Sequence, residues 1–142
     1  MTYEQWAIVA DCYTPILAGL SAFIIYRQTK LAPGSIQGAV MPLFFTILLA
    51  YTVMLVDDYM QLWPSFGADF STHTAIALVF VMHLILNLGK TGWLVLASLL
   101  AYCHLMYFQG YHSYLDMVTT AVFFLPMFWA IFKYVGTPEP RG

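Results

Sequence analysis

The chain has 142 residues, of which 61% are hydrophobic, 18% aromatic and only 8% charged. Soluble domains carry roughly 25% charged residues, so this chain has too few polar groups to coat a water-facing surface, and the bilayer is its expected solvent. The net charge of −2, without a basic run or zinc-finger spacing, argues against nucleic-acid binding.

Five apolar segments follow one another: about Trp6 to Tyr26, Ile36 to Val56, Thr72 to Leu88, Trp93 to Phe108, and His112 to Tyr134. A spanning helix needs about 20 mostly apolar residues. The first, second and fifth segments meet this. The third and fourth are short and share the turn Asn87-Leu88-Gly89-Lys90-Thr91-Gly92, whose glycines suit a tight reversal. An unbroken helix over residues 72–108 would be about 55 Å long at about 1.5 Å per residue, too long for one crossing. The expectation is therefore an all-α, polytopic integral membrane protein with five transmembrane helices, in a single domain over residues 1–142. Four crossings compete, with the short pair re-entrant. Glu4 and Asp11 stand where a cleavable signal peptide needs bases. The tail from Gly136, which holds Pro138 and Pro140, is expected to be non-helical.

Counting Lys and Arg gives the orientation. With five crossings, Arg27, Lys30, Lys90, Lys133 and Arg141 share one face, expected to be cytoplasmic. Glu4, Asp57, Asp58 and Asp69 fall on the opposite face, with Asp11 and Asp116 just inside helix ends, and only Glu139 joins the bases. The N-terminus is expected outside and the C-terminus inside.

Ionisable groups within spanning helices are costly and are functional candidates by default. Asp69 to Thr74 opens the third segment and His112 to Asp116 the fifth, both on the outer face. In each, a carboxylate and an imidazole stand four residues apart. If the helix includes both, they share one face. A carboxylate beside an imidazole fixes its tautomer and stabilises the imidazolium, as a nucleophilic or general-base His requires.

The stretch Phe70-Ser71-Thr72-His73-Thr74-Ala75, followed two crossings later by His112-Ser113-Tyr114-Leu115-Asp116, resembles motifs of the type-2 phosphatidic acid phosphatase superfamily. The similar branch is the one containing inositol phosphorylceramide and sphingomyelin synthases, and the resemblance covers roughly residues 66–120. It implies a lipid-phosphate phosphatase or head-group transferase. His112 would attack phosphorus to give a phosphohistidine, and Asp116 would orient His112. His73 would protonate the leaving oxygen and then activate water or an acceptor alcohol. The departure is electrostatic. The family surrounds the phosphoryl group with Lys and Arg, whereas residues 56–64 hold no base and residues 98–111 offer only His104. Phosphoryl transfer depends on neutralising charge on the equatorial oxygens.

Two repairs are open. A divalent metal (zinc, manganese or iron) could be held by some of Asp57, Asp58, Asp69, His73, His112 and Asp116. Alternatively, a partner chain could supply bases. Without either, the chain reads as a non-catalytic subunit of a larger membrane complex. Its expected partners are membrane lipids, and further copies or other membrane subunits.

Bland readings stand beside these. Asp69 or Ser71 caps the third helix, Asp116 complements the dipole of the fifth, and Asp57 and Asp58 are solvated at a helix end. His73 and His112 could simply bond between helices. His83 and His104, on neighbouring helices, could ligate haem, although interhelical hydrogen bonds explain them more simply. Cys12 and Cys103 share a depth that permits a disulfide, with buried free thiols the default. Tyr3, Trp6, Trp63, Trp93 and Tyr134 read as an interfacial aromatic belt.

Overall fold

A computed structural model describes residues 2–31 and 36–136. The expected non-helical tail beyond Gly136, with Glu139 and Arg141, lies outside the described residues. Five α-helices form: α1 (Tyr3–Leu31), α2 (Ile36–Met60), α3 (Thr72–Leu88), α4 (Gly92–Phe108) and α5 (Tyr114–Val135). Single 3-10 turns, Pro64–Phe66 and Gly89–Thr91, lie in the α2–α3 and α3–α4 connections, and no strand occurs among the described residues. Four stretches are long and apolar enough to cross a membrane: residues 3–31, 36–60, 72–108 and 114–135.

The stretch over 72–108 is not one straight rod. Gly89 takes φ 57°, which only glycine adopts cheaply, and breaks it into two 17-residue helices. Gly92 then lies so close to α3 that a Cβ there would stand 3.0 Å from Ile85 Cα. At the far end of the hairpin, the His73 ring stacks beside that of Tyr111, with centroids 6.4 Å apart. α3 and α4 therefore run antiparallel.

α3 is the central element and packs against the other four helices. Its sequence explains this: it is apolar around most of its circumference, and Ala75, Ala77, Val79 and Leu84 are fully buried. Small residues let neighbouring backbones approach closely where no water drives association. The outer helices instead turn large side chains outward, among them Leu20, Phe23, Phe44, Leu48, Leu55, Leu94, Leu100 and Val122. An apolar exterior of this extent requires an apolar solvent.

Polar clasps fix which helix ends meet. Tyr3 Oη donates to the Gln109 carbonyl at 2.6 Å, joining the start of α1 to the end of α4. Gln28 Nε2 donates to Asn87 Oδ1, joining the ends of α1 and α3. Arg27, Lys30 and Lys90 thus collect at the end opposite His73. Lys133 stays at that end too, since Gly136 abuts Gly38 and Pro42 at the start of α2.

The α2–α3 connection departs from expectation in two ways. Asp57 is buried rather than solvated, because its Oδ1 accepts from the Trp63 amide at 2.8 Å and closes the end of α2. Trp63 is buried rather than interfacial. Its indole donates to Thr119 Oγ1 at 3.1 Å and meets Phe70 and Phe123 edge-on. The connection is therefore folded onto α5, which positions the segment leading to His73. Asp58 remains exposed. Cys12 and Cys103 are free thiols.

Candidate functional site

The two sequence stretches singled out at helix openings do meet at one end of the bundle. The rings of His73 and His112 lie 6.0 Å apart, inclined at 56°. His73 is exposed, and His112 is partly buried.

Each helix opening is fixed by a serine. Ser71 caps α3, its hydroxyl accepting from the Thr74 amide at 3.3 Å. Its own amide donates to Thr120 Oγ1 at 3.2 Å, which fastens the opening of α3 to α5. Ser113 caps α5 in a reciprocal box: its hydroxyl accepts from the Asp116 amide, and Asp116 Oδ2 accepts from the Ser113 amide at 2.7 Å. These caps place Asp69 and His112 outside their helices. The expected four-residue couple therefore fails for Asp69 and His73, since α3 has not yet begun at Asp69. The charge of Asp69 does reach His112.

Asp116 does more than face His112. Its Oδ1 accepts from the Asp69 amide at 2.8 Å, so one carboxylate ties the chain before α3 to the cap of α5. Nδ1 of His112 lies 3.9 Å from Asp116 Oδ2, too far for a hydrogen bond, and is buried without a partner. Nε2 is then the nitrogen that can meet a substrate. Burial lowers the His112 pKa from its ordinary 6.5. Asp69 opposes that shift, His73 reinforces it and Asp116 opposes it. A depressed value keeps the ring neutral, and hence nucleophilic, at neutral pH.

The donors expected for a metal (Asp58, Asp69, His73, His112 and Asp116) do not form a suitable group. Among the described residues, no three His, Cys, Asp or Glu converge to hold an ion. The hydrogen bonds explain why: both oxygens of Asp116 already accept backbone amides. Haem fits no better. His83 is 2% exposed, with both ring nitrogens unpartnered and Phe132 beside it, so no open face remains for a macrocycle. His104 is exposed, and its Nδ1 pairs with Tyr114 Oη at 2.7 Å.

A cavity of about 220 Å³ adjoins His73 and draws its walls from four helices: Asp11 and Thr14 of α1, Tyr51 of α2, Thr72 and His73 of α3, and Tyr102 of α4. Tyr102 is buried and stacks on Tyr13, with centroids 4.2 Å apart. Sequence reasoning left Asp11 and both tyrosines out of the site. The available signal was Asp11 itself, a carboxylate within an apolar segment. Among the described residues, no Lys or Arg lines this cavity. The chain matches no protein-family model, curated protein or solved structure.

Proposed function

We propose that the chain is a five-crossing integral membrane protein, with the start of α1 outside and the end of α5 cytoplasmic, that cleaves or transfers lipid phosphate groups at its outer face. The segregation of Arg27, Lys30, Lys90 and Lys133 from the imidazole end supports that orientation. The turn at Gly89 supports counting α3 and α4 as separate crossings.

The observation that carries the chemistry is the 6.0 Å separation of the His73 and His112 rings. A phosphoryl group between them presents phosphorus to one imidazole and its leaving oxygen to the other. His112 Nε2 attacks phosphorus. The bond from phosphorus to the lipid oxygen breaks, and protonated His73 gives that oxygen its proton. In the second half, His73 takes a proton from water or an acceptor alcohol, whose oxygen attacks phosphorus. The P–N bond breaks and His112 returns neutral. This resembles the order of events implied by the type-2 phosphatidic acid phosphatase superfamily.

Lys and Arg being absent from the site, other groups must meet the phosphoryl charge. Among the described residues, the amides of Thr72 and His73 in the first turn of α3 have no acceptor, and they carry the positive end of the helix dipole. The His73 imidazolium adds a full charge.

One observation favours a second reading. Because Asp116 serves two backbone amides and stands 3.9 Å from His112, the cluster could be an architectural clasp in a non-catalytic membrane subunit. Phosphate release from a lipid phosphate monoester by purified protein in lipid nanodiscs separates the two. The enzymatic reading expects turnover that falls by about 10²–10⁴-fold in His112→Ala and His73→Ala. A wild type with no turnover on any lipid phosphate leaves the architectural reading.

A further inference from the structure

We infer that Asp11, on α1, is the carboxylate that serves His73, a positioning residue acting across the cavity they share. This rests on the reading of His73 as the acid and base of the proposed reaction.

The argument runs through the acids at this end of the bundle. Asp116 has both oxygens on backbone amides, and Asp57 is taken by the Trp63 amide. Asp69 is not among the residues that line the cavity. Asp11 alone among them lines the cavity beside His73, and among the described residues it has no hydrogen-bond or ion-pair partner. It stands eight residues beyond Tyr3, about 12 Å along α1 at about 1.5 Å per residue. The residue is exposed, and a carboxylate inside a spanning helix costs less when a cation faces it.

The cation that the reaction creates nearby is protonated His73. The other titratable groups at this end are Tyr51 and Tyr102, which line the cavity, Tyr111 and His112, whose rings lie 6.4 and 6.0 Å from that of His73, and Asp69, whose charge reaches His112. Of the two carboxylates Asp11 and Asp69, only Asp11 shares the cavity with His73. A cavity of about 220 Å³ is roomy enough for water, which needs only about 30 Å³ per molecule in the liquid. Thr14, Thr72 and the Tyr51 hydroxyl supply partners for a water bridge between carboxylate and ring. Asp11 holds the ring nitrogen facing it as N–H, so that the other nitrogen meets the leaving oxygen and, later, the water proton.

The test uses full-length protein with ¹⁵N-labelled histidine in nanodiscs, read by NMR. In the wild type, one neutral tautomer of His73 dominates. Asp11→Asn shifts the tautomer ratio at least about threefold, and Asp11→Glu, which keeps the charge, restores most of the preference. Asp11 has no bonded partner to lose, so the fold persists, and the His112 signals in the same sample report this. In turnover, Asp11→Asn lowers kcat about tenfold with KM little changed, because His73 serves both the leaving oxygen and the water. An unchanged tautomer ratio in Asp11→Asn overturns the assignment of Asp11, whatever the turnover. A shifted ratio in a protein that turns over no lipid phosphate upholds the couple and overturns the enzymatic reading.

Discussion

Replacing Asp116 by Ala separates what that carboxylate does for the fold from what it does for His112. In the native protein its two oxygens accept from the Asp69 and Ser113 amides at 2.8 and 2.7 Å, and the residue is buried. Hydrogen bonds to a charged acceptor are worth about 1.5–3 kcal/mol each, and a buried amide left unpaired costs about 1–3 kcal/mol. Asp116→Ala should therefore destabilise by about 3–5 kcal/mol. His112→Ala removes no hydrogen bond, since the neutral ring stands 3.9 Å from Asp116 Oδ2, and should cost below about 1 kcal/mol. Reversible unfolding in mixed micelles, followed by circular dichroism, measures both changes and the double variant. Additivity within about 0.5 kcal/mol is expected, since the amide bonds do not involve the imidazole. A loss below about 1 kcal/mol in Asp116→Ala, or a coupling above about 1.5 kcal/mol with His112→Ala, would refute this division of roles.

Three further outcomes follow from the same geometry. His83 is buried with both ring nitrogens unpartnered, so His83→Phe should leave stability unchanged or raise it by about 1–2 kcal/mol in the same unfolding assay; a clear loss would show that the ring has a partner. Gly92→Ala drives a Cβ to 3.0 Å from the α3 backbone and should cost about 1–3 kcal/mol; a neutral result would contradict the tight α3–α4 turn. Burial lowers the His112 pKa below 6.5, and the neutral ring is the nucleophile. Phosphohistidine formation should therefore persist as pH falls through 6.5 and fail only below the depressed value. A rate that halves at or above pH 6.5 would contradict the burial argument.

The helices were legible because the bilayer demands long apolar runs, and these are visible without knowledge of packing. The reversal at Gly89 was legible for the same reason: no helix of 37 residues fits one crossing. The register of charge at helix openings was not. Whether Asp69 and His73 share a helical face depends on where α3 starts, and that depends on Ser71 capping Thr74 and on Thr120 holding the Ser71 amide. Residues 49 positions apart in sequence decide it. The burial of Trp63 likewise comes from Thr119, Phe70 and Phe123, which no local pattern announces. The meeting of His73 and His112 was anticipated from crossing parity, which assigns both to one end. Asp11 was missed because its role depends on four helices enclosing a common space.

The measurement that bears most directly on the account is the capture of the covalent intermediate. Protein incubated with a ³²P-labelled lipid phosphate and quenched in alkali, which preserves phosphohistidine, is digested and sequenced by mass spectrometry. The account predicts an acid-labile label on His112, with none in His112→Ala. Label on any other residue, or a wild type that releases phosphate without labelling His112, would contradict it.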